Sequence, residues 1–132
     1  MEMLIVTLVI AILATLALPN FKKSREYAFN KEAKANLKLI QAAERIYHIE
    51  NAFYMPMDAG YISNTSLINS YLRLTLPTGA HPHNIWNYTS FTNGTAKASR
   101  FGSDGRVWSL EVNITSEPIC NDCGGASECY CQ

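Results

Sequence analysis

Residues 1–21 read Met-Glu-Met-Leu-Ile-Val-Thr-Leu-Val-Ile-Ala-Ile-Leu-Ala-Thr-Leu-Ala-Leu-Pro-Asn-Phe. Sixteen consecutive positions, 3 to 18, carry no charge, and charge then arrives abruptly at Lys22, Lys23, Arg25 and Glu26. As a helix the run is roughly 24 Å long at 1.5 Å per residue. That is slightly short of the ~30 Å hydrocarbon core of a bilayer, a gap that a few apolar residues upstream of Met1 would close. A head this small cannot bury a helix that is apolar on every side; a bilayer, or a bundle of identical helices, can. No basic residue precedes the run, as one would in a cleaved secretory signal, and the run continues through Pro19 into a polar helix. Basic residues after the span would, by themselves, hold the C-terminal side in the cytoplasm. An exported head therefore calls for a basic leader ahead of Met1.

The 132 residues, with 48% hydrophobic and 17% charged side chains, allow about one globular unit. The formal net charge is zero, which gives no electrostatic reason to bind nucleic acid or an anionic surface. Residues 20–51 contain good helix formers and neither Gly nor Pro. Ala33, Leu37, Ile40, Ala43 and Tyr47 recur at helical spacing and mark one apolar face, with Lys34, Lys38, Gln41, Glu44 and Arg45 on the other side. Glu26 near Asn30 and Lys31, and Glu44 near His48, read as a solvated face. Asn51 is the expected helix stop.

Residues 52–70 read as a connecting loop, punctuated by Pro56 and Gly60. Four strands are expected: 71–76, 85–91, 95–101 and 106–114. Asn93-Gly94 supplies a hairpin between the second and third, and Ser103-Asp104-Gly105 a turn into the fourth. The alternating aromatics of the sheet then face the helix. The expected fold is α+β: a long N-terminal helix, 1–51, packed on a small antiparallel sheet in a head, 52–132. Within the helix, 1–19 is the transmembrane or filament-core part and 20–51 the amphipathic part.

Two residues of the stem stand out. Glu2 is a carboxylate inside an apolar helix, which costs on the order of 3 kcal/mol in a membrane unless it finds a partner. It reads either as an acid favoured by the helix N-terminus at the headgroups or as one awaiting a positive partner, such as a chain-terminal amine of a neighbour. Pro19 removes a backbone donor and clashes with the carbonyl four residues back, so a kink or interruption is expected there, with a helix end at Leu18 as the plainer reading.

Met1-Glu2-Met3-Leu4-Ile5-Val6 through Ala14-Thr15-Leu16-Ala17-Leu18-Pro19-Asn20-Phe21 resembles the N-terminus of type IV pilins and the related pseudopilins. The likeness spans about residues 1–50 and is dense over the first 21. Aligned so, Glu2 falls on the family glutamate and Pro19 on the family proline. About three mature residues, beginning with a methylated phenylalanine, and a basic leader removed by a prepilin peptidase would then precede Met1. Ala11 departs from the mid-run glycine of many relatives, which bears on how far the helix unwinds in a filament. The resemblance implies a subunit anchored in the inner membrane and then drawn by a pilus assembly machinery into a homopolymeric, extracellular helical filament. There Glu2 would pair with the N-terminal amine of an adjacent subunit. A pseudopilin of a type II secretion machine and a membrane-anchored surface binding protein that never polymerises are the rival readings.

The last thirteen residues hold Cys120, Cys123, Cys129 and Cys131. In an exported head two disulfides are the expectation, with three connectivities open. A four-thiolate zinc or iron site is the competing reading, since the spacing offers enough ligands. Asn64, Asn87, Asn93 and Asn113 head Asn-x-Ser/Thr triplets and are candidate glycosylation acceptors. His81-Pro82-His83 reads as a loop pair rather than a metal site. No catalytic constellation is legible, and the reading is of a structural subunit needing no cofactor and no metal.

Overall fold

In the computed structural model, residues 2–56, 60–78, 85–101, 105–111 and 117–123 are described, the side chains of Glu2, 16–20, Asp122 and Cys123 excepted. One helix, α1 (Glu2–Asn51), covers 50 residues, about 75 Å at 1.5 Å per residue. It includes Pro19, so the helix does not end at Leu18. In the stem, Thr7 and Thr15 donate their hydroxyls to the carbonyls of Leu4 and Ile12, at 3.0 and 2.8 Å. That return bond leaves no bare hydroxyl on an otherwise apolar surface. The helix stops at Asn51 as its sequence implies. Ala52 turns to the left-handed region (φ 67°) and closes its N–H on His48 O at 2.8 Å, while Asn51 Nδ2 caps Tyr47 O at 3.0 Å.

Among the described residues the head forms a five-stranded antiparallel sheet in sequential order: β1 (Tyr61–Ile62), β2 (Trp86–Phe91), β3 (Thr95–Arg100), β4 (Arg106–Glu111) and β5 (Ile119–Cys123). The β2–β3 hairpin forms where Asn93-Gly94 places it. Gly94 takes φ 76°, its N–H closes on Phe91 O at 2.9 Å, and Asn93 Oδ1 accepts from Thr95 N at 3.0 Å. Strict alternation sends Trp86, Tyr88 and Ser90, then Ala96 and Ala98, then Arg106, Trp108 and Leu110 inward. Tyr88, Ala98 and Trp108 form one cross-strand row, and Ser90, Ala96 and Leu110 another. Large side chains thus flank a central strand of alanines. The shallow trough they leave receives the Ala33, Leu37 and Ile40 face of α1, all of it fully buried. This is the expected α+β arrangement.

The head differs from its sequence reading in three places. Residues 71–76 are not a strand. A second helix, α2 (Thr65–Leu72), occupies part of the expected loop and runs into that segment. Asn64 caps it, its Oδ1 accepting from Ser66 N at 2.9 Å and Leu67 N at 3.3 Å, and Thr65, Ile68 and Leu72 are buried at helical spacing. The segment after α2 stays irregular because Asn69 holds it: the amide donates to Leu76 O and accepts from Leu76 N, both at 2.9 Å. The sheet edges are instead β1, inside the expected loop, and β5, at the start of the cysteine tail. The expected turn at 103–105 lies mostly, and the end of the fourth strand at 112–114 wholly, outside the described residues.

Candidate assembly surface

The stem is the first component. From Met3, 82% exposed, to Leu13, every large apolar side chain of α1 faces outward. Among the described residues, the contacts of the head with α1 begin at Glu26 and Phe29. Among the described residues no helix is long and apolar enough to cross a membrane. The run whose side chains are described stops at Thr15, whereas the apolar sequence continues to Leu18. Glu2 opens α1 and Pro19 lies within it; the side chains of both are outside the described set.

The second component is the buried face of α1, which sets how the helix sits on the sheet. It is more polar than the sequence suggests. Glu26 does not serve its own helix: it accepts from Arg100 at 3.1 Å and from Arg106, whose side chain is completely buried. Arg106 also donates to Asn30 Oδ1 at 2.7 Å. Trp86 Nε1 donates to Phe29 O at 3.0 Å, and Asn36 Nδ2 donates to the Tyr88 hydroxyl at 2.6 Å. Burial raises the Tyr88 phenol to about 12.

Glu44 is the largest correction. It is fully buried rather than solvated. Its two oxygens accept from Ser90 Oγ at 2.7 Å and Met55 N at 3.1 Å, tying α1, the following loop and β2 together. Burial pushes its carboxyl above the usual range, and those two hydrogen bonds offset only part of the rise. The signal was available: Asn30, Ala33, Leu37, Ile40 and Glu44 step by three, four, three and four residues, so both polar residues fall on the buried stripe.

The third component is an exposed apolar face. Ala28, Ala35, Leu39, Ala42, Ile46 and Ile49 recur at seven, four, three, four and three residues, and the larger three stay exposed, Ile49 at 82%. Leu39, Ala42 and Ile46 line one wall of a groove of about 310 Å³ whose other wall is Tyr71, Leu72 and Leu74. The sequence reading assigned this side of the helix to polar residues and missed the stripe.

Of the other candidates, Asn64 and Asn93 are exposed and spend their Oδ1 atoms on backbone N–H groups, while Asn87 is half-buried on β2. Cys120 is half-buried on β5 across from Trp108 and packs on the core. Asn113, Cys129, Cys131 and the His81-Pro82-His83 segment lie outside the described residues, as does the side chain of Cys123.

A chain with this architecture is 36% identical over 83 residues to the competence protein ComGC of Halalkalibacterium halodurans, a match covering 59% of this chain and 80% of that protein. No family model matches the chain, and no solved structure matches it.

Proposed function

The chain belongs to the type IV pilin-like family of the competence protein ComGC, and on that premise we propose that it is the structural subunit of a pilus-like filament, polymerising through α1. The observation that carries the reading is the stem: an apolar helix exposed on every side, whose apolar character continues as the Ala28–Ile49 stripe alongside the head. Before assembly the bilayer covers the stem, with the head outside the cytoplasm. In the filament neighbouring stems replace lipid, and at about 25 cal/mol per Å² each stem's burial is a large driving term. Head-to-tail contacts of this kind do not close, so the polymer is open-ended. The likeness to a competence protein supports a role for the filament in competence. The role is structural, with pilus assembly machinery and a prepilin peptidase as its partners.

Within this reading Glu2 sets axial register by meeting the N-terminal amine of the next subunit, since an unpaired carboxylate in the apolar core costs several kcal/mol. Pro19 supplies the point at which α1 adjusts on leaving the bilayer. Disulfides close the tail; closing a loop of about twelve residues contributes about 3 kcal/mol in the chain-entropy model. Electron microscopy of sheared surface material, with mass spectrometry of the fibres, tests the whole. Long fibres composed mainly of this chain support it. Recovery of the chain only from membranes, in cells that carry no such fibres, rejects it in favour of an anchored protein that does not polymerise.

A further inference from the structure

The zero net charge of the chain conceals two opposed blocks. Residues 21–40 carry six cations (Lys22, Lys23, Arg25, Lys31, Lys34, Lys38) against two acids (Glu26, Glu32), a net of +4. Residues 101–132 carry one cation (Arg106) against five acids (Asp104, Glu111, Glu117, Asp122, Glu128), a net of −4. Both Glu26 and Arg106 are spent inside the head on each other, which leaves the surface of the helix more positive than the count suggests.

At 100° per residue, Lys23, Tyr27, Lys31, Lys34 and Lys38 share one face of α1, between the buried stripe and the exposed apolar stripe. Tyr27, Lys31, Lys34, Ala35, Lys38 and Glu117 line a groove of about 480 Å³. Two of its ammonium groups are held on aromatic rings: Lys31 Nζ lies 4.8 Å from the centroid of Tyr27, and Lys34 Nζ lies 4.3 Å from that of Trp108. Lys38 meets Glu117 at 2.5 Å, an exposed pair that already joins the two charge blocks within one molecule. That contact brings the Glu117 carboxyl below its usual range.

We infer that the Lys31–Lys38 face of α1 is a docking surface for the acidic C-terminal third of a second copy of this chain. This rests on the filament reading and names one contact within it. Charge complementarity selects the occupant: the positive and negative blocks match in size and oppose in sign, so copies arranged with one block against the other attract, while like blocks repel. A lipid headgroup layer is the wrong distance away. Lys31 stands about 20 Å beyond Leu18 along the helix, more than twice the screening length of about 8 Å at physiological salt. Lys22, Lys23 and Arg25 are the residues at headgroup level. A nucleic acid would have to approach past the exposed carboxylates of Glu111 and Glu117, the latter on the rim of the same groove.

The test is charge reversal in trans, scored by filament yield from whole cells. The full-length Lys31→Glu/Lys34→Glu variant and the full-length Glu111→Lys/Glu117→Lys variant are each expected to lower yield at least tenfold. Their membrane levels should stay unchanged, and their heads should unfold within a few degrees of wild type in detergent. Co-expressed, they are expected to restore yield to within about twofold of wild type and to appear together in the fibres. Wild-type yield from the lysine variant alone, or no rescue from two folded partners, overturns the inference and leaves the filament reading intact. So does loss of binding to anionic vesicles or to duplex DNA by the lysine variant with filament yield unchanged. Failure of the wild-type chain to form fibres removes the filament reading itself and this contact with it.

Discussion

At the residue scale the buried face of α1 depends on a few polar atoms whose partners lie in the sheet and in the loop that follows the helix. Removing Glu26 leaves the Arg106 guanidinium buried beside Asn30 without its carboxylate. Because truncating one partner of a buried ion pair is costly, Glu26→Ala should lower head stability by about 3–5 kcal/mol, read by denaturant unfolding of the full chain in detergent. Glu44 carries the opposite kind of cost. Its folded-state pKa lies above the unfolded value, so the native state holds its proton more tightly. The stability this contributes is complete below the unfolded pKa and is lost as pH rises through the folded one. Glu44→Gln keeps an acceptor for Met55 N and a partner for Ser90 without the charge. It should therefore raise the unfolding midpoint at pH 8 by a few degrees, with the difference from wild type closing as pH falls towards 4. Glu44→Ala should instead be destabilising at both ends, because Ser90 and Met55 lose their acceptor.

At the element scale, what could be read in advance followed from periodicity, and what could not followed from side chains that substitute for backbone. The helix face at Ala33, Leu37 and Ile40, the hairpin at Asn93-Gly94 and the strands around Trp86 and Trp108 all announced themselves by spacing. The segment Tyr71–Leu76 alternates like a strand, yet Asn64 starts a helix just before it and Asn69 pairs with Leu76 as a strand neighbour would. Two asparagines thus outweigh a six-residue pattern. Glu26, Asn30 and Glu44 were hidden for a related reason: a polar or charged residue on a helix reads as solvated until its partner on another element is known. The exposed stripe on α1 was masked by its alanines, which mark no face by themselves. Its role is separable from folding. Leu39→Glu/Ile46→Glu should leave the unfolding midpoint of the head nearly unchanged, since both positions are exposed. The same variant should cut filament yield severely. A large loss of head stability would show that the stripe serves the fold instead.

At the scale of the whole molecule, the stem and the head share a helix but little stabilising contact. Among the described residues, the interactions that fasten α1 to the head begin at Glu26 and run to Tyr47, and the large apolar side chains from Met3 to Leu13 lie exposed before them. Removing residues 1–20 should therefore give a chain that stays monodisperse without detergent and unfolds within a few degrees of the full-length head. The full-length chain should associate under the same conditions. The same separation isolates Glu2. A carboxylate that only favours the helix N-terminus is worth about 0.3–1 kcal/mol, and its loss would be tolerated by a filament of many stems. A carboxylate that pairs across subunits in an apolar core leaves the facing amine uncompensated when it is removed, at several kcal/mol per interface. Glu2→Ala should then abolish long fibres while the subunit accumulates in the membrane with its head folded. Co-expressed with wild type, it should enter fibres only as a minor component, because each variant copy disturbs the register of the neighbour whose amine it fails to meet. Fibres of normal yield from Glu2→Ala alone would show that apolar packing sets the register without the acid.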